Sequence, residues 1–208
     1  MGLGISVGML CDQARNDPEG FEMHRAGFDQ LTRALAQEGI EWREPEILHE
    51  GGEHDYSGGF PYSYLAHLRR AYTLTLLGEP VTPASATSDA QYERDQEKVG
   101  DESTMFASHL LCHADYAGYY IPVDFPDPLF LPEGADVGGA GMVGSSQQLL
   151  AELRSFASAL GVELDEAGNV VEQKPAGDDP FDAEKFAWSQ LYRACLASIE
   201  SGHAIVFC

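Results

Sequence analysis

Lysine is nearly missing from this chain: Lys98, Lys174 and Lys185 are the only three in 208 residues. Bases of either kind are scarce, 12 Lys plus Arg against 34 Asp plus Glu, for a formal net charge of -22. Such a field repels DNA, RNA and anionic membranes and speeds encounter with a basic protein. Long hydrophobic runs are missing as well, since no apolar stretch approaches the roughly 20 residues that a spanning helix needs. The segment Met1 to Val7 lacks the basic region and the long apolar region of a signal peptide. Paired cysteine motifs are also missing. Cys11, Cys112, Cys195 and Cys208 form no CxxC, and each lies in or beside an apolar stretch. That argues against a zinc ribbon or a disulfide framework and for free thiols in a reducing compartment. These absences together predict a cytoplasmic protein with a basic protein partner, no nucleic acid, no membrane and no cofactor.

What is present suffices for a folded core. Hydrophobic residues make up 44% of the chain, with ten Phe, nine Tyr and two Trp, which argues against intrinsic disorder despite the charge. The acidity is not a tail. Residues 1–104 carry 19 acids and 8 bases, and residues 105–208 carry 15 and 4, so each half has a net charge of -11. An even distribution is also what a surface selected only for solubility would show. Partner specificity should then come from places where acids meet exposed tyrosines.

Periodicity predicts an α+β fold, with about four helices packed on one mixed, largely antiparallel β-sheet in a single domain spanning 1–208. Residues 4–10 read as a strand. Asp17-Pro18-Glu19 opens a helix with the stripe Phe21, Phe28, Leu31, Leu35, closed by Gly39. Residues 42–48 read as a short strand. Pro61 opens a second helix with the stripe Tyr62, Leu65, Leu68, Tyr72, Leu76. Residues 81–104 are polar and weakly periodic, a mobile insertion or a surface excursion with a short helix near 91–99. Residues 108–113 and 119–125 look like a hairpin. Ser145 or Ser146 caps a third helix, 162–171 forms a small hairpin, and Asp179-Pro180 begins a fourth helix before a terminal strand at 204–208.

No catalytic motif is complete. Gly139 to Gly144 matches GxGxxG before a helix, but its approach, Leu131 to Gly138, contains Pro132 and several polar residues, so no central strand enters the first glycine. The loop from His49 to Asp55 is rich in ligand residues but misses HExxH, and Gly51-Gly52 breaks the helix that motif requires. His109 and His113 would share a face on a helix and chelate a metal; on a strand they lie about 13 Å apart, too far for one ion. With Asp115 and Asp124 they form the alternative reading, a small hydrolase or metal-dependent enzyme. Cys112 beside His113 cannot make a dyad on a strand, because neighbours point to opposite sides.

The stretches 108–125, from Ser108-His109-Leu110-Leu111-Cys112 to Val123-Asp124-Phe125, and 144–153, with the ending Ala204-Ile205-Val206-Phe207-Cys208, resemble a family of uncharacterised bacterial proteins of about this length. Some of these are similar to small acidic immunity proteins of polymorphic toxin systems. The resemblance covers about a third of the chain and implies protein binding, as an immunity-type inhibitor that blocks a basic partner such as a toxin. The residues expected at that surface are Glu50, Glu53, Asp55, Tyr56, Asp115, Tyr116, Asp124 and Asp127.

Overall fold

The computed structural model describes residues 2–45, 56–132, 135, 137, 141–171 and 179–208. They form an α+β structure around one six-stranded sheet, with strand order β2-β1-β6-β3-β5-β4. The strands are β1 (Gly2–Val7), β2 (Tyr56–Pro61), β3 (Gly118–Ile121), β4 (Leu129–Phe130), β5 (Met142–Ser145) and β6 (Ile205–Phe207). The β3–β5 pair is parallel and the other neighbours are antiparallel, so the sheet is mixed, as expected.

Alternation along the central strands separates two cores. Leu3, Ile5, Val7, Tyr120, Ile205 and Phe207 point to one face and join the larger core. Val206, Val143 and Ile121 join the other. The register makes this consistent, since Val7 and Tyr120 both lie beside Ile205, whereas Tyr119 and Ser6 lie beside Val206.

Among the described residues there are seven α-helices, not four: α1 (Met9–Asn16), α2 (Pro18–Gln37), α3 (Tyr62–Leu76), α4 (Asp89–Ser103), α5 (His109–Cys112), α6 (Ser146–Phe156) and α7 (Asp182–Ser201). The four expected helices are α2, α3, α6 and α7. α1 was hidden in an apolar run read wholly as strand, and left-handed Gly8 (φ 74°) is where strand becomes helix. α5 replaces the first arm of the expected 108–113 hairpin. Ser108 accepts from Leu111 N at 3.0 Å and Glu152 accepts from His109 N and Leu110 N at 2.8 Å each, so tertiary caps hold one helical turn where the pattern suggested extension. The described part of the expected 42–48 strand, residues 42–45, is not a strand, and 46–48 lie outside the described residues. Ser145 caps α6 as expected, with Gln148 N at 3.2 Å. The 162–171 hairpin shrinks to a single bridge, Leu164 to Val170. All four cysteines are free thiols: Cys11 and Cys195 are buried, Cys112 is half-buried and Cys208 is exposed. Among the described residues no helix is long and apolar enough to cross a membrane.

The polar segment 81–104 is joined to α3 through Arg70. This side chain is buried, as is Asp95 on α4. Arg70 Nε donates to Asp95 Oδ2 at 2.8 Å, and its terminal nitrogens donate to Thr82 O (2.7 Å), Thr82 Oγ1 (2.9 Å) and Thr87 Oγ1 (3.1 Å). Asp95 Oδ1 accepts from Gln91 Nε2 at 2.7 Å. Removing one partner of such a buried pair leaves the other charge without compensation. Asp95→Ala is therefore expected to destabilise the protein by about 3–5 kcal/mol in urea denaturation. A loss below about 1 kcal/mol, the range of an exposed pair, would show that the anchor is elsewhere.

Candidate functional site

α4 carries a regular row of exposed acids. Its inner stripe is Tyr92, Asp95 and Val99. Tyr92 OH is 2.8 Å from His67 Nδ1, its ring lies 5.7 Å from the Arg70 guanidinium, and Val99 packs on the larger core. These contacts turn the opposite face outward. That face presents Asp89, Glu93, Glu97 and Asp101, all exposed and each four residues from the next. Residues at i and i+4 are neighbours on one ridge, about 6 Å apart along the axis, so the row runs for about 18 Å. Between them lie Ala90 and Gly100, too small to shield the carboxylates.

The two cations of α4 are turned to the flanks. Lys98 Nζ lies 2.6 Å from Glu79 Oε2 and 3.6 Å from Asp95 Oδ1. Arg94 donates to Gln91 Oε1 at 2.7 Å. No base occupies the last turn, where the helix dipole would favour one, and Asp101 and Glu102 stand there instead. Like charges at i,i+4 destabilise a helix by about 0.2–0.5 kcal/mol per pair. The outer face of α4 thus works against its own helix and is held by the inner one.

Past the end of α4 the chain displays an aromatic pair. Phe106 has φ 55°, the one described non-glycine residue in the left-handed region. Its ring meets Phe130 edge-on, with centroids 5.1 Å apart and planes at 80°. Phe106 is 58% exposed, Phe130 49% and neighbouring Met105 70%.

The residues expected from sequence are distributed differently. Glu50, Glu53 and Asp55 lie outside the described residues. Tyr56 sits half-buried in β2 and donates to Gln190 Oε1 on α7 at 2.6 Å; burial raises its pKa. Asp115 is exposed and paired with Arg69, whose other nitrogens donate to Leu110 O (2.9 Å) and His113 O (2.5 Å). Tyr116 and Asp127 are exposed. Asp124 is exposed too and accepts from Gln148 Nε2 at 2.7 Å.

The two histidines are buried and held by different partners. His109 Nδ1 accepts from Ser145 N at 2.9 Å, which puts its proton on Nε2, facing Pro126 O at 3.2 Å. His113 stacks on Tyr120 with centroids 4.2 Å apart, and Nδ1 donates to Ala114 O at 2.9 Å. Desolvation lowers both pKa values, that of His113 to about 4. His113 lies past the end of α5, so the shared helical face needed for chelation does not form. Among the described residues no group of three or more His, Cys, Asp or Glu side chains is placed to hold a metal ion.

The row on α4 escaped sequence reasoning, although its signal was present: acids at 89, 93, 97 and 101 share a four-residue period inside the segment read as weakly periodic. Periodicity was sought in apolar residues, and this helix has few.

The fold is that of a mixed-sheet α+β protein with an acidic ridge on its surface. Residues 1–207 match the model of the family described as "Putative DNA-mimic protein", and the chain belongs to that family. No curated protein and no solved structure matches the chain. The family match corrects the expected partner, a basic protein such as a toxin with no place for nucleic acid. Membership implies that nucleic acid is the thing imitated and that the partner class is a DNA-binding protein. The physical reason is that a carboxylate field repelling DNA is, to a DNA-binding protein, a field like that of DNA.

Two outcomes follow from this geometry. Both Phe106→Gly and Phe106→Ala lose the ring, but only alanine keeps a side chain in the left-handed backbone. Phe106→Gly should therefore be the more stable of the two by about 1 kcal/mol in chemical denaturation, and equal stabilities would contradict the strain. Glu152, capping α5, is pushed by burial from the ordinary 4.5 up to about 7, against the pull of its backbone hydrogen bonds. Between those values the folded state holds the proton that the unfolded chain has lost, so stability falls as pH rises from 4.5 to 7. Glu152→Gln should flatten that fall, by on the order of 2 kcal/mol, in denaturation midpoints taken across the interval. Parallel curves for the two proteins would refute it.

Proposed function

We propose that this protein occupies the DNA-binding site of a DNA-binding protein and blocks it, with the outer face of α4 in the place of a phosphate backbone. The observation that carries the proposal is the row Asp89, Glu93, Glu97 and Asp101, with both cations of the helix tied to its flanks. The family match supports the same reading. A protein that binds DNA releases condensed counterions as its Lys and Arg side chains meet phosphates, and a fixed row of carboxylates engages the same side chains. Asp115, Tyr116, Asp124 and Asp127 are proposed as flanking contacts; Asp115 is joined to the α4 anchor through the adjacent arginines of α3. The segment 81–104 is then the working part of a single unit.

The test is capture of a DNA-binding protein from lysate on the immobilised full chain, with displacement by added DNA. Asp89→Asn, Glu93→Gln, Glu97→Gln and Asp101→Asn combined should weaken capture by roughly tenfold or more and reduce its salt dependence. The same variant should be no less stable than wild type, because like charges have been removed from one helix. Neutralising Glu19, Glu22, Glu163 and Glu166, exposed acids on other elements, should leave capture unchanged. Wild-type capture by the α4 variant would refute the proposal.

A further inference from the structure

We infer that the surface imitates a single strand with accessible bases rather than a duplex, and that its partner is a protein that grips single-stranded DNA. The inference rests on the reading of α4 as a backbone mimic and adds the aromatic pair at its end.

The first argument is the layout of charge. α4 presents a single row of carboxylates, about 6 Å apart, which can follow one line of phosphates, and it offers no second row facing the first as the two strands of a duplex would require. The second argument is the aromatic pair. In a duplex the faces of the bases are stacked away from solvent. Proteins that bind single strands combine a cationic groove for the backbone with aromatic side chains that stack on base faces. Phe106 and Phe130 offer ring surface to solvent directly beyond the last carboxylate of the row.

The third argument is how the pair is held. The chain leaves α4 through hydrogen bonds from Thr104 N to Gly100 O (3.2 Å), Met105 N to Glu102 O (3.1 Å) and Phe106 N to Ser103 O (3.3 Å). This turn fixes Phe106 against the C-terminus of α4, and β4 brings Phe130 beside it. Carboxylates and rings therefore keep a fixed relation, as phosphates and bases do along a strand. An apolar patch bordered by acids complements a channel in which aromatic side chains lie between cations.

The experiment uses the immobilised full chain, host lysate, and elution by oligo-dT or by a duplex of the same length. Oligo-dT is expected to elute the retained protein at a roughly tenfold lower concentration than duplex. The variant F106A/F130A should weaken retention by roughly tenfold, the loss of one stacked base, while its acid row still supports residual binding. F106G removes the ring from a relaxed backbone and should show a loss in the same direction, which separates a lost contact from a damaged fold. Elution by duplex as readily as by oligo-dT, or unchanged retention by F106A/F130A, overturns the single-strand inference and leaves the α4 reading standing. Unchanged retention by the four-acid α4 variant overturns both.

Discussion

Arg69 and Arg70 leave consecutive positions of α3 in different directions, and each gathers a separate part of the chain. Arg69 takes Leu110 O, His113 O and Asp115, closing the segment around α5 onto the helix. Arg70 takes Asp95, Thr82 and Thr87, closing the segment that contains α4. A guanidinium suits both tasks, because its rigid fork of donors can satisfy carbonyl, hydroxyl and carboxylate partners together out of water. In a chain with so few bases, two of them are spent inside. What they hold is the acidic surface itself.

Three further bases show a related pattern. Lys98 pairs with Glu79 and Lys185 with Asp179, while Arg154 donates to Tyr192 OH at 3.1 Å. Each of these three cations binds a neighbour on the same molecule, and the two cations of α4 itself, Lys98 and Arg94, are drawn to Glu79 and Gln91 on the flanks of the acid row. Its carboxylates repel one another, and that repulsion is opposed by the buried pair and by the Tyr92–His67 contact beneath. Stability on the inner face and charge display on the outer face are separable, because the helix period puts Tyr92, Asp95 and Val99 opposite Glu97.

Strands β1, β3 and β6 and the four large helices were legible because burial there follows the apolar period; β2, β4 and β5 were not, because they lie in or beside glycine- and proline-rich stretches that carry loop signals. Phe28, Leu31 and Leu35 form one stripe, Leu65, Leu68 and Tyr72 another, and Ile205 to Phe207 is apolar throughout because both of its faces are covered. α5 was not legible. Leu110, Leu111 and Cys112 suit either state, and the deciding caps come from Ser108 and from Glu152 on α6, more than forty residues away. α4 was half legible: a short helix near 91–99 was expected, but not its full length, 89–103, because its inward positions are Tyr, Asp and Val, with a buried carboxylate where an apolar side chain was sought. Phe106 gave no local hint of a left-handed backbone, since glycine is the usual occupant.

The choice of a helix over a charged tail has a physical consequence. An acidic tail would swell under its own repulsion, and binding would have to order it residue by residue. On α4 the carboxylates are already at fixed intervals before a partner arrives. Association then requires ordering of side-chain ends only, and the unfavourable charge–charge energy is present in the free protein rather than built up on binding. On the proposed reading of α4, pairing with the partner's cations relieves that repulsion, so part of the binding free energy is stored in the unbound fold. Storage of this kind needs an anchor stronger than the repulsion it resists. The Arg70–Asp95 pair, buried and hydrogen-bonded on both oxygens of the carboxylate, fits that requirement where an exposed ion pair would not.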